Sequence, residues 1–453
     1  MNAYFHRKLP LRILLPLLGL LFGCASEPTA NQPNLVLFLA DDLSYFDLGV
    51  TANTAVQTPH VDAFSAQSTS FMNMYTPTAM CAPSRSALYT GLYPHRNGCH
   101  YNHGSVYDTI RSLPHYLSEL GYKVFLVGKR HIKPQSAFPF EYYPQASLDS
   151  LMTAQRNQPF CLIYASDEPH GPHVVGNVSP QNVFLPPRWV DTPETRQHLA
   201  DYYGDVQLMD EEFGQLVNSL QENELYDNAL VIFTSDHGYE YFSKWTTYNT
   251  GLKVPFYLKM PAQLESTLPV NALTSFVDIT PTFVELAGGS PDAVFNGKSL
   301  VALLNEETDN HHQYLYGSHT NRGILSGQLY PVRSVQNDEF RYIVNLAPDS
   351  IFQNINTHGR TYDTAQASPV WKSWLHKAQS DSLAHQKTQS LLRRPEEELY
   401  RIVDDEFEQE NLASDPQYAS VKRQLRQELL AWMEQQGDNG IASELKVPLK
   451  YDQ

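Results

Sequence analysis

The chain predicts an α/β protein built on a mostly parallel central sheet, and three observations carry that reading. Short apolar runs alternate with longer amphipathic stretches. The runs have the length and the β-branched or aromatic content of buried strands. Each run then opens directly into ionisable residues. With 453 residues, 42% hydrophobic and 12% aromatic, the chain is long enough for one large domain or a large domain plus a smaller one. It can bury a core without disulfide staples.

Taken in order, Arg7, Lys8 and Arg12 precede an apolar stretch over residues 13–22 that is short for a bilayer span, the pattern of an export signal. It ends Leu21-Phe22-Gly23-Cys24, similar to a bacterial lipobox. That likeness implies removal of residues 1–23 and lipidation of Cys24, with sorting to an outer membrane; an unanchored periplasmic or secreted protein is the alternative. A polar linker, 24–33, follows. Runs 34–40, 123–127, 160–165 and 230–234 read as fully buried strands. Between the last two, Leu199, Tyr202, Val206, Met209, Phe213, Leu216, Val217 and Leu220 share one face of a helix. From about Tyr314 the texture changes to antiparallel pieces, 331–335 and 340–346, with a turn at Asn337-Asp338. Asp415-Pro416 leads into a helix striped by Val421, Leu425, Leu429 and Trp432. Residues 34–313 are thus read as the main α/β domain and 314–453 as a smaller α+β subdomain. The polar stretch 357–394 is given no element.

A charged fraction of 18% and a formal net charge of -17 offer no basic face for gripping nucleic acid. They do not exclude a small anionic substrate held where a few cations converge. Four cysteines set no disulfide framework. Cys99 and Cys161 are open either to one bridge or, as the apolar run around Cys161 favours, to buried thiols.

The chemistry gathers where the strands end. The four runs lead into Asp41-Asp42, Lys129-Arg130-His131, Asp167-Glu168-Pro169-His170 and Asp236-His237. In an open parallel sheet the carboxyl ends of the strands share one edge, so these segments meet in one crevice. Cys81-Ala82-Pro83-Ser84-Arg85 continues to Thr90-Gly91. Pro83 suits a first helical turn and Gly91 a C-terminal cap, which places Cys81 at a helix N-terminus, favourable to an anion, with Arg85 one turn along the same face.

Cys81-x-Pro83-x-Arg85 followed by Thr90-Gly91 resembles the signature of the type I sulfatases, in which the cysteine is oxidised to formylglycine. Asp41-Asp42 and Asp236-His237 are similar to that family's two metal pairs, Gly128-Lys129-Arg130-His131 to its Gly-Lys-x-His element, and Lys244 to its second active-site lysine. Pro139-Phe140, Tyr330-Pro331-Val332-Arg333-Ser334-Val335 and Asn411-Leu412-Ala413-Ser414-Asp415-Pro416 are most like the branch that acts on N-sulfoglucosamine. The resemblance implies an alkaline-phosphatase-like fold with a small C-terminal antiparallel sheet plus helix. It implies an exported sulfuric ester hydrolase that removes sulfate from a sulfated oligo- or polysaccharide, and that needs a sulfatase-maturing enzyme and touches a membrane only through its lipid.

The same resemblance implies a divalent cation held by Asp41, Asp42, Asp236, His237 and the side chain at 81; the hard oxygen ligands favour Ca²⁺ over Mg²⁺. Arg85 and Lys129 are expected to hold the nucleophile and offset developing charge, Lys244 to clamp sulfate, and His170 or Lys244 to protonate the leaving oxygen. His131 is the expected base that regenerates the aldehyde. His319, Asn321 and Arg322 are expected at the rim of the sugar pocket. There this chain has Asn321-Arg322-Gly323 where the sulfoglucosamine branch has His-His-Glu. Arg322 suits a carboxylate or second sulfate, which points to an O-sulfate on a uronate-bearing glycan rather than to N-sulfoglucosamine. Sulfamidase activity, a phosphodiester or phosphonate hydrolase of the same superfamily, and a non-catalytic glycan-binding lipoprotein are the alternatives. His100, His103 and His173 read as surface groups, with a place in the pocket as the alternative.

Overall fold

The computed structural model describes Met1 and residues 32–155, 158–174, 176–261, 268–291, 293–322, 327–359 and 363–447. The leader's apolar stretch, Cys24 with its lipidation, and Gly323 lie outside the described residues. Thirteen strands are described: β1 (Asn34–Ala40), β2 (Thr69–Ser70), β3 (Met74–Tyr75), β4 (Lys123–Gly128), β5 (Glu141–Tyr143), β6 (Phe160–Ala165), β7 (Ala229–Ser235), β8 (Phe256–Lys259), β9 (Thr274–Ser275), β10 (Leu315–His319), β11 (Val332–Gln336), β12 (Phe340–Asn345) and β13 (Glu397–Arg401).

Seven strands form the main sheet in the order β2-β8-β7-β1-β6-β4-β5. β7, β1, β6, β4 and β5 run parallel, while β8 is antiparallel to β7 and to β2. The central strands are largely apolar because both faces are covered. Val36, Phe38 and Ala40 of β1 face one core, and Leu35, Leu37 and Leu39 the other. The first face is closed by the helix Pro193–Glu222, whose Leu199, Tyr202, Val206, Met209, Phe213 and Leu216 are buried against it. The four-stranded antiparallel sheet β10-β11-β12-β13 follows, covered by the helix Ala419–Gln435 through Leu425, Leu429 and Trp432. In the turn between β11 and β12, Asn337 Oδ1 accepts from the amides of Glu339 and Phe340.

The segment given no element, 357–394, departs from expectation. Its described residues include the helices Pro369–Lys377 and Ser382–Leu392. Trp371 and Trp374 join the core of the main sheet, and Trp374 Nε1 donates to Thr195 Oγ1 at 2.8 Å. Two tryptophans seated on a neighbouring helix decide these helices, which a weak local periodicity does not reveal. Cys99 and Cys161 are free, buried thiols.

Candidate active site

The helix Cys81–Thr90 is buried along its length and ends on Gly91, at φ 67°. A Cβ there would lie 2.7 Å from Phe295, so both the backbone and the space call for glycine. Cys81 is the first helical residue, 2% exposed. Ser84 ties the helix to the end of β7 by donating to the Asp236 carbonyl at 2.5 Å.

The strand ends meet around that thiol. Asp41 and Asp42 follow β1, and the amide of Asp42 donates to Asp236 Oδ1 at 3.1 Å across the β1–β7 boundary. Arg85 lies beneath, its Nε 3.0 Å from Asp236 Oδ2 and its Nη2 3.2 Å from Asp41 Oδ1. Lys129 pairs with the other oxygen of Asp41. Gly128 lets the chain turn there, since a Cβ would clash with the Ala165 carbonyl. Lys244 reaches Asp42 at 2.7 and 3.0 Å. His237 Nε2 lies 3.4 Å from Cys81 Sγ and 3.2 Å from Asp42 Oδ1, and its Nδ1 faces the Gly238 carbonyl at 2.8 Å. His170 stands further out, its Nε2 3.8 Å from Asp42 Oδ2 and its side chain one-third exposed.

Asp42, Cys81, Asp236 and His237 bring one ligand atom each within 4.8 Å of one another, all buried. Asp41 is not in that group; its two oxygens pair with Arg85 and Lys129. Burial pushes the Asp236 carboxyl up to about 6, although His237 and Arg85 pull it down. Burial lowers the His237 imidazole, but Asp236 and Asp42 outweigh that and hold it up at about 9. Burial opposes ionisation of Asp41 and Asp42 too, but Lys129 and Arg85 hold Asp41, and Lys244 and His237 hold Asp42, below the usual carboxylate range, so both stay ionised. The carboxylates and the Nε2 facing the centre fit a divalent cation. Burial also opposes the Cys81 thiolate, yet Lys244 and Lys129 bring that thiol down to about 6.

His131 behaves differently. Burial, then Lys129 and Arg85, push its imidazole down to about 3, so it is neutral near pH 7. Its Nε2 lies 2.8 Å from Nδ1 of His103, and its buried Nδ1 has no partner. The sequence favoured a surface position for His103; the contact spans 28 residues that include a helix and β4, so it leaves no local signal. His173 and His100 are interior. His173 bonds Asp205 at 2.7 Å, and His100 stacks on His95.

The three rim residues are placed in and just after β10. His319 is 1% exposed and neither ring nitrogen has a partner. Asn321 braces its own loop, accepting from the Tyr330 amide and donating to the Gln328 carbonyl. Arg322 has a buried Nε without a partner. Nearby, Arg394 is 4% exposed and stacks over Phe352 at 4.1 Å, with its Nε and Nη2 unpartnered; nothing in the sequence pattern singled it out.

Comparison with known proteins adds a family. Residues 33–145 and 133–290 match the Sulfatase family, and residues 236–353 match the C-terminal region of N-sulphoglucosamine sulphohydrolase. The chain is 32% identical to an ulvan-active sulfatase of Formosa agariphila over 94% of this chain and 84% of that one. It is 29% identical to human N-sulphoglucosamine sulphohydrolase over 92% of each. A protein solved with its substrate D-glucosamine-2-N,6-O-disulfate shares the fold at a TM-score of 0.70 and 17% identity, over 90% of this chain and 99% of that one.

Proposed function

The chain belongs to the sulfatase family, and from that premise we propose that it hydrolyses a sulfate ester on a carbohydrate, using position 81 as nucleophile beside a divalent cation. The observation that carries this is the meeting of Cys81, at a helix N-terminus, with three further potential cation ligands, Asp42, Asp236 and His237, and three buried or half-buried cations, Arg85, Lys129 and Lys244. Oxidised to an aldehyde that hydrates, position 81 would supply a hydroxyl nucleophile, and Ca²⁺ held by Asp42, Asp236 and His237 with Asp41 beside them would favour its ionised form and draw charge from the sulfuryl oxygens.

The chain's own groups then divide the work. Arg85, locked between Asp41 and Asp236, fixes the carboxylates and offsets negative charge below position 81. Burial lowers the Lys244 ammonium, but Asp42 outweighs it, so Lys244 stays charged and can hold a sulfate oxygen. His170, raised by Asp42 and open to solvent on one side, can bring a proton to the leaving sugar oxygen. His131, neutral and buried, can take one from position 81, with His103 holding its ring.

The relatives' names, referring to ulvan and to N-sulphoglucosamine, support a glycan as substrate. Arg322 and the absence of an acid in its loop favour an O-sulfated, uronate-bearing chain. The leader and Cys24 support export and lipid anchoring. The test is turnover by protein co-expressed with a sulfatase-maturing enzyme. An aryl sulfate should be hydrolysed, an aryl phosphodiester at least about tenfold more slowly, and exhaustive chelation should abolish activity until Ca²⁺ is restored. Preference for the phosphodiester would overturn the reaction, and full activity in metal-free protein would overturn the cation. A higher kcat/KM on N-sulfoglucosamine than on O-sulfated uronate oligosaccharides would overturn the glycan.

A further inference from the structure

A second cluster of ligating side chains lies in the segment that packs on the far end of the nucleophile helix. Asp278 is fully buried, and its carboxylate oxygens accept the amides of Ser275 and Lys298, each at 2.8 Å. Two consecutive histidines aim at the same carboxylate. His312 Nε2 is 2.8 Å from Oδ1 and 3.0 Å from Oδ2, and His311 Nε2 is 3.2 Å from Oδ2. The two adjacent imidazoles, in the stretch just before β10, thus converge on one buried acid. His311 adds an independent sign. Its side chain is 6% exposed, and its buried Nε2, directed into the cluster, makes the contact with Asp278 but no well-aligned hydrogen bond.

We propose that Asp278, His311 and His312 form a binding site for a borderline divalent transition metal of the Zn²⁺ class, separate from the catalytic cation. One ligand atom from each lies within 4.8 Å of the others, a spread that a single ion can draw together. Two imidazole nitrogens and one carboxylate oxygen suit Zn²⁺, whereas Ca²⁺ takes oxygen-rich sites. A bound ion would satisfy the His311 nitrogen. It would also join residues 311–312, just before β10, to Asp278 at the start of the helix Ile279–Leu286. The amides of Asn296 and Gly297, beside Lys298, meet the Gly91 carbonyl that ends the nucleophile helix, so the ion would brace that helix from behind. The role is structural, and the competing arrangement is two imidazole N–H groups donating to one carboxylate.

The test counts Zn²⁺ in Ca²⁺-saturated, full-length protein by elemental analysis and calorimetry. Wild type and the D42N/D236N variant should each hold one equivalent that H311A/H312A lacks. Zn²⁺ in excess should raise the wild-type Tm by a few degrees and leave that of H311A/H312A unchanged. Should H311A/H312A fail to fold, H311Q takes its place, with Co²⁺ substitution of the wild type expected to give a visible ligand-field spectrum of nitrogen and oxygen ligands. No equivalent in wild type, or equal Zn²⁺ in wild type and the histidine variant, would overturn the proposal.

Discussion

Position 81 and its neighbours decide what the molecule can do to an anion. Cys81→Ala removes the nucleophile but little packing, so turnover of an aryl sulfate should fall about a thousandfold or more while the urea midpoint stays near that of wild type. Rates near wild type would assign the nucleophile elsewhere. Arg85 is a different case, because its fully buried guanidinium holds two buried carboxylates apart. Arg85→Ala should cost about 3–5 kcal/mol in urea unfolding, since Asp236 loses its guanidinium partner and Asp41 one of its two cations. A loss of activity with unchanged stability would instead make Arg85 a purely catalytic group. These residues were legible in the sequence because each follows an apolar run or a helix start directly. His103 and Arg394 were not, because their partners are distant in the chain and meet them only through tertiary packing.

At the scale of elements, β1, β6 and the helix Cys81–Thr90 were readable from apolar runs, Pro83 and Gly91, since burial on both faces writes an unbroken pattern. The helices Pro369–Lys377 and Ser382–Leu392 were not, because their stability comes from the surface they cover. Their anchor is Trp374, 1% exposed and bonded to Thr195. Trp374→Ala should therefore destabilise by about 3–5 kcal/mol in chemical denaturation, through a cavity between these helices and Pro193–Glu222. A cost under about 1 kcal/mol would mean that the pair is an appendage rather than part of the main core.

Across the whole molecule, the smaller sheet is fastened to the end of the chain by charge. Arg333 of β11 is buried and pairs with Asp438 at 2.5 Å and Glu444 at 2.6 Å. Burial pushes the Asp438 carboxyl up, and Arg333 overrides this and brings it down to about 2. A folded-state value below the ordinary one means that the pair stabilises at pH above about 4, and that this contribution fades as pH falls towards 2. Unfolding free energy measured through that window should fall with acidification in wild type, and fall less in Arg333→Met. Parallel slopes would show that the network contributes no acid sensitivity. The resemblance in the sequence located Arg333 within its motif, but its two acids lie more than a hundred residues away and carry no pattern that would pair them with it.

The fold, the fastening and the buried cations all serve one position, and its chemical state tests the account most directly. The measurement is the mass of the peptide carrying residue 81, taken on protein from a maturing host that hydrolyses an aryl sulfate. The account predicts an aldehyde in place of the thiol, in a fraction that rises with specific activity. A fully active sample whose residue 81 is entirely unmodified cysteine would contradict it.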